Sequence, residues 1–371
     1  MNVQVTNRPT IQPAGATKLA IADGDIHPQR NSYRDLFPYL EKRWQEHALT
    51  FGSRPRQAYQ AGPAYPKGQP NAARRDAWPP GGRPGSNLAF LQKQLLDENN
   101  IQLGVLNATG DNGASFQNRE FGAAVCCAMN DWMVAEWLSQ EPRLKGSIVV
   151  PYEDPEAAVA EIERWAGDPR FVQVLMVTRI AEPPGQKRYW PVYEAAAAAN
   201  LPIGVHAFGF GGYPVSGSGW PSFYIEDMVG HAQSAQSFVT SLVIEGVFER
   251  LPNFKLVMIE AGFAWIPSLS WRLDKLWRRL KQETPHLKRA PSEYIREQVW
   301  LTTQPMEEPQ PRERVLEAIG WIGWDRLLFA TDYPHWDYDD PAQVLPMSLP
   351  EEKRRSFFFN NAMRLYNQFP A

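Results

Sequence analysis

Short apolar segments rich in β-branched residues recur along the chain, and helical patterns separate most of them. Eight of these segments are predicted to be strands, at 18–27, 101–109, 144–151, 171–178, 201–207, 254–260, 299–304 and 326–332. Near-continuous apolar strands that alternate with helices indicate a parallel sheet covered by helices. Eight such units in one chain predict an α/β fold, a closed (β/α)8 TIM barrel.

Helical patterns fill several of the connections. Residues 153–166 and the alanine-rich stretch 192–200 predict helices after strand three and before strand five. Residues 267–283 carry Trp271, Leu273, Leu276, Trp277 and Leu280 at helical spacing, which predicts a helix packed on the core. Residues 349–367 predict one closing amphipathic helix.

Two segments exceed a minimal barrel. Residues 52–87 hold seven Pro and six Gly and would emerge at the C-terminal face, between strands one and two. We expect an inserted lid or wall of the active site, with a disordered excursion as the alternative. Tyr59, Tyr65 and Trp78 favour order, because they give the segment apolar surface to pack. The Gly-rich stretch 209–222 also rims this face, but it does not open a helix directly, so a dinucleotide loop is not favoured.

Composition narrows the class of protein. The 371 residues are 43% hydrophobic and 21% charged, with a net charge of −3, which argues against disorder and against nucleic-acid binding. Neither a signal peptide nor an apolar run long enough for a membrane span is visible, so a cytoplasmic protein is expected. The adjacent Cys126 and Cys127 cannot easily meet disulfide geometry and are expected to be buried apolar residues. The whole chain is therefore expected to be one barrel domain, residues 1–371, with 52–87 as an insertion.

Ionisable residues end four of the predicted strands. Asp25 and His27 end strand one, His206 ends strand five, Glu260 ends strand six and Asp332 ends strand eight. Active sites of TIM barrels lie at these C-terminal strand ends. A purely structural strand does not need such residues, because burying an unpaired charge is costly.

These residues predict a metal site. Asp25 and His27 are two positions apart and would share one face of the strand. Together with His206 and Asp332 they form a two-His, two-Asp set that suits one divalent ion. Zinc is the first expectation, with manganese or iron as alternatives.

Other residues are candidates for substrate contact. His231 falls near the strand ends, as do the aromatic residues Phe208, Trp220 and Trp336. His335, on the loop after strand eight, is a candidate catalytic residue, with a structural role as the alternative. Aromatic walls would suit a small cyclic or aromatic substrate. Packing of loops on the barrel is the structural alternative for each aromatic residue.

The strand-end motifs resemble those of the metal-dependent amidohydrolase superfamily, in the branch of aminocarboxymuconate-semialdehyde decarboxylase. Family members carry Asp-x-His-x-His on strand one, where this chain has Asp25 in place of the first metal-binding His. The resemblance spans about residues 18–367 and places the strand-five metal ligand on His206 and the strand-eight Asp on Asp332. Glu260 stands where many members have a catalytic His. The resemblance implies a bound metal and a homodimer.

Three functions remain open. The first is hydrolysis of an ester, lactone or amide by a metal-activated water, with Asp332 shuttling the proton and Glu260 acting as a ligand, base or orienter. The second is non-oxidative decarboxylation of an aromatic or muconate-type acid, with Asp332 protonating the carbon that loses CO₂. The third is a metal-free binding protein.

Charge favours hydrolysis at this point. A site with three carboxylates around one divalent cation carries net negative charge. Such a site would bind a neutral substrate more readily than a carboxylate. A protonated Glu260, or Arg179 or Arg188 reaching the substrate, would reverse that preference.

Overall fold

The computed structural model describes residues 18–53, 72–207, 214–345 and 348–369. Its eight strands are β1 Ile21–Ile26, β2 Ile101–Leu106, β3 Leu144–Val149, β4 Phe171–Val177, β5 Ile203–His206, β6 Leu256–Ile259, β7 Val299–Thr302 and β8 Leu327–Leu328. The α-helices are α1 Lys42–Phe51, α2 Leu88–Leu91, α3 Arg119–Met133, α4 Pro155–Trp165, α5 Trp190–Ala198, α6 Tyr224–Ile244, α7 Val247–Arg250, α8 Ile266–Arg279, α9 Pro291–Gln298, α10 Val315–Ile322, α11 Glu351–Arg355 and α12 Asn361–Leu365.

The strands form one parallel sheet in the order β1 to β8, which confirms the predicted (β/α)8 barrel. The first and last strands meet at a seam. There the backbone N–H of Gly24 donates to the carbonyl of Phe329 (2.9 Å), and that of His27 donates to the carbonyl of Tyr333 (2.8 Å). Helices α4 and α5 confirm the helices predicted at 153–166 and 192–200.

All eight strands lie inside their predicted segments, and each ends before its predicted C-terminal residue. The apolar pattern continues past the point where the ladder stops. After β6, Glu260 adopts a left-handed backbone with φ of 53°. After β8, the N–H of Thr331 donates to the Asp23 side chain of β1 (Oδ1, 2.9 Å) instead of to a backbone carbonyl.

The closing segment was predicted to be one amphipathic helix, but in the structure it is not one regular α-helix. Between α11 and α12 lies a π-helical turn, Ser356–Asn360, which buries Phe357 and Phe358. Beyond it, α12 closes one end of the barrel. Its Ala362 and Leu365, with the following Tyr366, pack among interior strand residues such as Val105 and Val257.

Two packing predictions need correction. On α8 the buried residues are Ile266, Pro267, Ser270 and Leu273, so Leu273 is the one fully buried member of the predicted stripe. Trp271, Leu276 and Leu280 are therefore exposed, and Trp277 is half-buried. On α3, Cys126 is buried, whereas the partly exposed Cys127 donates its thiol hydrogen to Glu161 Oε2 (3.0 Å).

The second half of the insertion, residues 72–87, packs along the barrel mouth. The N–H of Trp336 donates to the carbonyl of Ala72 (2.7 Å), and the N–H of Arg74 donates to the carbonyl of Pro334 (2.9 Å). The N–H of Gln29 donates to the carbonyl of Gly85 (2.8 Å). This part of the insertion thus joins the loops that follow β1 and β8, whereas Tyr59 and Tyr65 lie outside the described residues. Within the described ranges, no helix has the length and apolar character needed to cross a membrane.

Candidate metal centre and active site

Six ionisable side chains converge at the C-terminal ends of the strands. Five are buried and one, His335, has a side chain 13% exposed. They are Asp25, His27, His206, Glu260, Asp332 and His335. One potential ligand atom from each of Asp25, His27, His206 and Glu260 lies within 4.8 Å of the others, and the same holds for His27, Glu260, Asp332 and His335.

His27 occupies the middle of the cluster. Its Nε2 lies 3.2 Å from Asp25 Oδ1 and 3.0 Å from Asp332 Oδ1. Its Nδ1 lies 3.0 Å from the backbone carbonyl of Asn107. Because a carbonyl only accepts, Nδ1 carries the hydrogen and Nε2 turns its lone pair towards the cluster, as metal-binding histidines do.

His206 faces the cluster from β5. Its Nε2 lies 3.5 Å from Asp25 Oδ2 and 3.0 Å from Glu260 Oε2. Among the described residues, Asp25 Oδ2, His27 Nε2 and Glu260 Oε2 are buried and make no hydrogen bond. Buried polar atoms left in this way are costly unless a ligand satisfies them. This donor set of carboxylates and imidazoles therefore fits a divalent metal ion.

The electrostatics of the cluster favour positive charge. Burial alone would raise the pKa of Asp25, but His27 and His206 outweigh it and hold that pKa well below its usual range. Burial alone would lower the pKa of His206, but Asp25 and Glu260 raise it to about 9. Burial and the charge of Asp332 raise the pKa of Glu260. The carboxylates thus favour protonation of the neighbouring groups. A bound cation would supply the same positive charge.

Glu260 and Asp332 share an unusual backbone conformation, with φ of 53° and 61°. A left-handed conformation costs a residue with a side chain about 1–2 kcal/mol. Hydrogen bonds hold both residues in place. The N–H of Glu260 donates to Thr302 Oγ1 (3.1 Å), and that of Asp332 donates to the carbonyl of Asp25 (3.2 Å). The turn directs each carboxylate inwards at its strand end.

Asp332 has two further polar neighbours. His335 Nδ1 lies 2.6 Å from Asp332 Oδ1, and Gln304 Nε2 donates to Asp332 Oδ2 (3.3 Å). Gln304 also donates to the carbonyl of Asp337 (3.2 Å), which anchors its amide. Sequence reasoning missed Gln304, although it is the polar residue that ends predicted strand seven.

One side of the site carries a cation and a neutral imidazole. His231, on α6, is buried, and burial together with the charges of Arg179 and His206 lowers its pKa to about 3. His231 is therefore neutral at physiological pH. Arg179, which follows β4, is close enough to exert this effect. The guanidinium of Arg188 donates hydrogen bonds to the carboxylates of Glu153 and Glu182, and it therefore faces those two side chains.

Aromatic residues border the mouth. Trp336 (43% exposed) hydrogen-bonds to the Tyr224 hydroxyl. Burial and the charges of Asp337 and Glu260 raise the pKa of Tyr224. Tyr224 was not predicted from the sequence. Trp220 is 37% exposed on the loop before α6. Phe208 lies outside the described residues.

A barrel with a buried carboxylate–imidazole cluster at its C-terminal strand ends defines a TIM-barrel enzyme of the metal-dependent kind. Residues 22–368 match the Amidohydrolase family (Amidohydro_2). The chain belongs to the amidohydrolase superfamily, in the branch of aminocarboxymuconate-semialdehyde decarboxylase-like proteins, as the strand-end motifs predicted.

Curated relatives are enzymes that decarboxylate aromatic acids. Gamma-resorcylate decarboxylase of Polaromonas sp. (strain JS666) is 26% identical over 286 residues, which cover 74% of this chain and 85% of the relative. Gamma-resorcylate decarboxylase of Rhizobium sp. (strain MTP-10005) is 25% identical over 312 residues, covering 76% and 91%. These relatives favour the decarboxylase alternative over hydrolysis.

Solved structures share the fold. The 5-carboxyvanillate decarboxylase of Sphingomonas paucimobilis has a TM-score of 0.68 and 21% identity, covering 95% of this chain and 99% of that structure. The dihydroxybenzoic acid decarboxylase of Polaromonas sp. JS666, with bound manganese and 2-nitroresorcinol, has a TM-score of 0.67 and 20% identity, covering 96% and 98%. Related structures with manganese support a divalent metal, but they give no support to zinc in particular.

Proposed function

We propose that this protein is a divalent-metal-dependent decarboxylase that releases CO₂ from a hydroxybenzoate. The observation that carries the proposal is the contact of His335 with Asp332 (2.6 Å) beside the buried donor cluster. Such a pair supplies a proton to a substrate carbon, which decarboxylation requires. The decarboxylase activity of the relatives supports the same reaction.

The metal would be held by Asp25, His27, His206 and Asp332, with Glu260 bordering the same point. Carboxylate-rich donor sets suit manganese better than zinc, which prefers nitrogen and sulfur ligands. We therefore propose manganese in place of the zinc expected from the sequence. When bound, the ion would supply positive charge that offsets the negative charge of the substrate's carboxylate.

Asp332 then acts as the acid. Its proton goes to the ring carbon that bears the carboxylate, and a ring double bond supplies the electron pair for the new C–H bond. The bond from that carbon to the carboxylate breaks, its electrons restore the aromatic ring, and CO₂ leaves. One proton is consumed for each CO₂ released. His335, which is partly exposed, restores the proton to Asp332 from solvent.

Arg179 and the neutral His231 would orient the anionic substrate. An arginine at this edge offsets the negative charge of the three carboxylates, which removes the sequence-based preference for a neutral substrate. Trp336 and Tyr224 would form the wall against which the ring packs. Trp220 and Phe208 stay predicted substrate contacts.

The test is turnover of the manganese-loaded enzyme on two panels, one of hydroxybenzoates and one of lactones and esters. We expect CO₂ release from a hydroxybenzoate, and loss of that release in Asp332→Asn even at saturating Mn²⁺. Hydrolysis of a lactone without CO₂ release from any acid would overturn the proposal.

The homodimer and the cytoplasmic location stay predictions from the sequence. The first can be measured by light scattering coupled to size-exclusion chromatography. Phe223, Ile225 and Val229 are 73%, 74% and 60% exposed at the start of α6, and they are the apolar side chains to replace if a dimer is found.

A further inference from the structure

A chain of buried polar side chains crosses the inside of the barrel and ends on the metal-site residue Asp25. Consecutive strands contribute one member each: Asp25 from β1, Asn107 after β2, Ser147 from β3 and Gln173 from β4. All four are fully buried. Tyr366, beside the closing helix α12, supplies the last member.

The contacts in this chain are continuous. Asn107 Nδ2 donates to Asp25 Oδ1 (2.8 Å), and Asn107 Oδ1 accepts from Ser147 Oγ (2.6 Å) and Gln173 Nε2 (3.1 Å). Gln173 Nε2 also donates to Ser147 Oγ (2.8 Å), and Gln173 Oε1 accepts from the Tyr366 hydroxyl (3.0 Å).

The hydrogen bonds in this row of buried polar side chains all run in one direction. An ionised Asp25 can only accept, so Asn107 must present its NH₂ group to Asp25 and its oxygen to Ser147 and Gln173. Gln173 must then present its NH₂ group to them and its oxygen to Tyr366. Every hydrogen points from the closing helix towards Asp25. With the Asn107 NH₂ group facing position 25, a carboxylate there accepts the hydrogen bond, whereas a histidine N–H would place one donor against another.

Asn107 also controls the other strand-one residue of the cluster. Its backbone carbonyl accepts from His27 Nδ1 (3.0 Å), while its side chain engages Asp25 Oδ1. The other oxygen, Asp25 Oδ2, is one of the buried atoms that make no hydrogen bond among the described residues. A single residue thus leaves His27 Nε2 and Asp25 Oδ2 directed into the cluster.

The space for the chain is built into β5. A Cβ atom at Gly204 would lie 2.8 Å from the Gln173 amide nitrogen. Position 204 therefore has no room for a side chain while Gln173 keeps this conformation. The absence of a side chain there is a second observation, independent of the hydrogen bonds, that the interior accommodates this arrangement.

We infer that Asn107, Ser147, Gln173 and Tyr366 are positioning residues, which hold Asp25 ready to bind the metal and so set the metal affinity from the opposite end of the barrel. The inference rests on the proposed metal centre. Outer hydrogen bonds to metal ligands contribute on the order of 10- to 100-fold to metal affinity.

The test is titration of the chelator-treated chain with Mn²⁺ by isothermal calorimetry. Asn107→Leu should weaken binding on the order of 10- to 100-fold. Tyr366→Phe and Gly204→Ala should weaken it by a smaller factor of about 2 to 10, because they act through the intermediate amides. Tyr193→Phe is the matched control. Its fully buried hydroxyl donates to the Pro184 carbonyl (2.8 Å), which is not part of this row of polar side chains. Loss of the hydroxyl should leave the Mn²⁺ affinity unchanged.

A double-mutant cycle separates positioning from general destabilisation. In an Asp25→Asn background, Asn107→Leu should add no further loss of affinity, because the group that it positions has changed. Equal affinities of the wild type and a folded Asn107→Leu variant would overturn this inference alone. A wild-type chain that binds no divalent ion would overturn the metal centre and this inference with it.

Discussion

His335 and Asp332 approach each other through Nδ1 and Oδ1, 2.6 Å apart, three residues along one loop. Burial alone would raise the pKa of Asp332, but His335 and His27 outweigh it and lower that pKa. Asp332 is therefore ionised before the reaction, and the proton that it delivers must come from a neighbour. His335 is the neighbour with access to solvent.

Replacing His335 should slow the chemical step more than binding. In His335→Asn, the side-chain amide can still donate to Asp332 but cannot release a proton. We expect kcat for CO₂ release to fall on the order of 100-fold, with the Mn²⁺ dissociation constant changed by less than about threefold. The exposed His286, replaced by Gln, is the control. Full turnover in His335→Asn would show that Asp332 takes its proton elsewhere.

Arg179 and Arg188 form a matched pair for substrate binding. Arg179→Gln should raise KM for the aromatic acid on the order of 10- to 100-fold, because a charge-assisted hydrogen bond is lost. Arg188→Gln should leave KM unchanged, since that guanidinium is engaged by Glu153 and Glu182. Steady-state kinetics over a range of acid concentrations measures both. Equal KM values for the two variants would remove Arg179 from the substrate site.

Gly85 and Gly81 distinguish close packing from backbone strain. Both have φ of 73°, but a Cβ atom at Gly85 would lie 2.4 Å from the His27 carbonyl oxygen. A Cβ atom at Gly81 would have no atom of the described residues within 4 Å. Gly81→Ala should destabilise the fold by about 1 kcal/mol through its left-handed conformation alone. Gly85→Ala should cost more and should also weaken Mn²⁺ binding, because it displaces His27. Thermal unfolding and Mn²⁺ titration of both variants provide the comparison, and similar losses would contradict this role for Gly85.

Glu141 should make stability depend on pH in the acidic range. Hydrogen bonds from Arg143 lower the Glu141 pKa from 4.5 to about 2. A depressed folded-state pKa stabilises the fold above the unfolded value near 4.5, and this contribution is lost as pH falls towards about 2.

Glu141→Gln should therefore be less stable than wild type at pH 7, by about 1–3 kcal/mol given the partial solvent exposure of Arg143. The difference should shrink steadily below pH 5. Urea unfolding at pH 7, 5 and 4 measures it. A constant difference at all three values would mean that charge plays no part.

The barrel and the polar strand ends could be predicted because they follow from local patterns. Apolar runs predict strands, and Asp25, His27, His206, Glu260 and Asp332 stand out as ionisable residues at their ends. The structure brings all five into one cluster. The resemblance to a known family assigned metal-binding or catalytic positions to the same residues.

The surrounding residues could not be found in this way. Asn107, Gln173 and Gln304 are uncharged, and nothing in the local sequence distinguishes a buried amide that orients a carboxylate from one that packs in a core. Tyr366 joins the interior only because the closing helix folds back onto the barrel. The buried face of α8 was misjudged because two apolar stripes share that helix, and tertiary packing selects between them.

The seam between the first and last strands also has a consequence for biosynthesis. Asp23 and Thr331 contact each other across 308 positions of chain. Asp25 and His27 are thus synthesised long before Asp332, and the cluster can close only after strand eight has emerged. Contacts of such long sequence separation form late in folding. Nascent chains that stall before strand eight would accordingly lack Asp332 and His335, and their metal site would be incomplete.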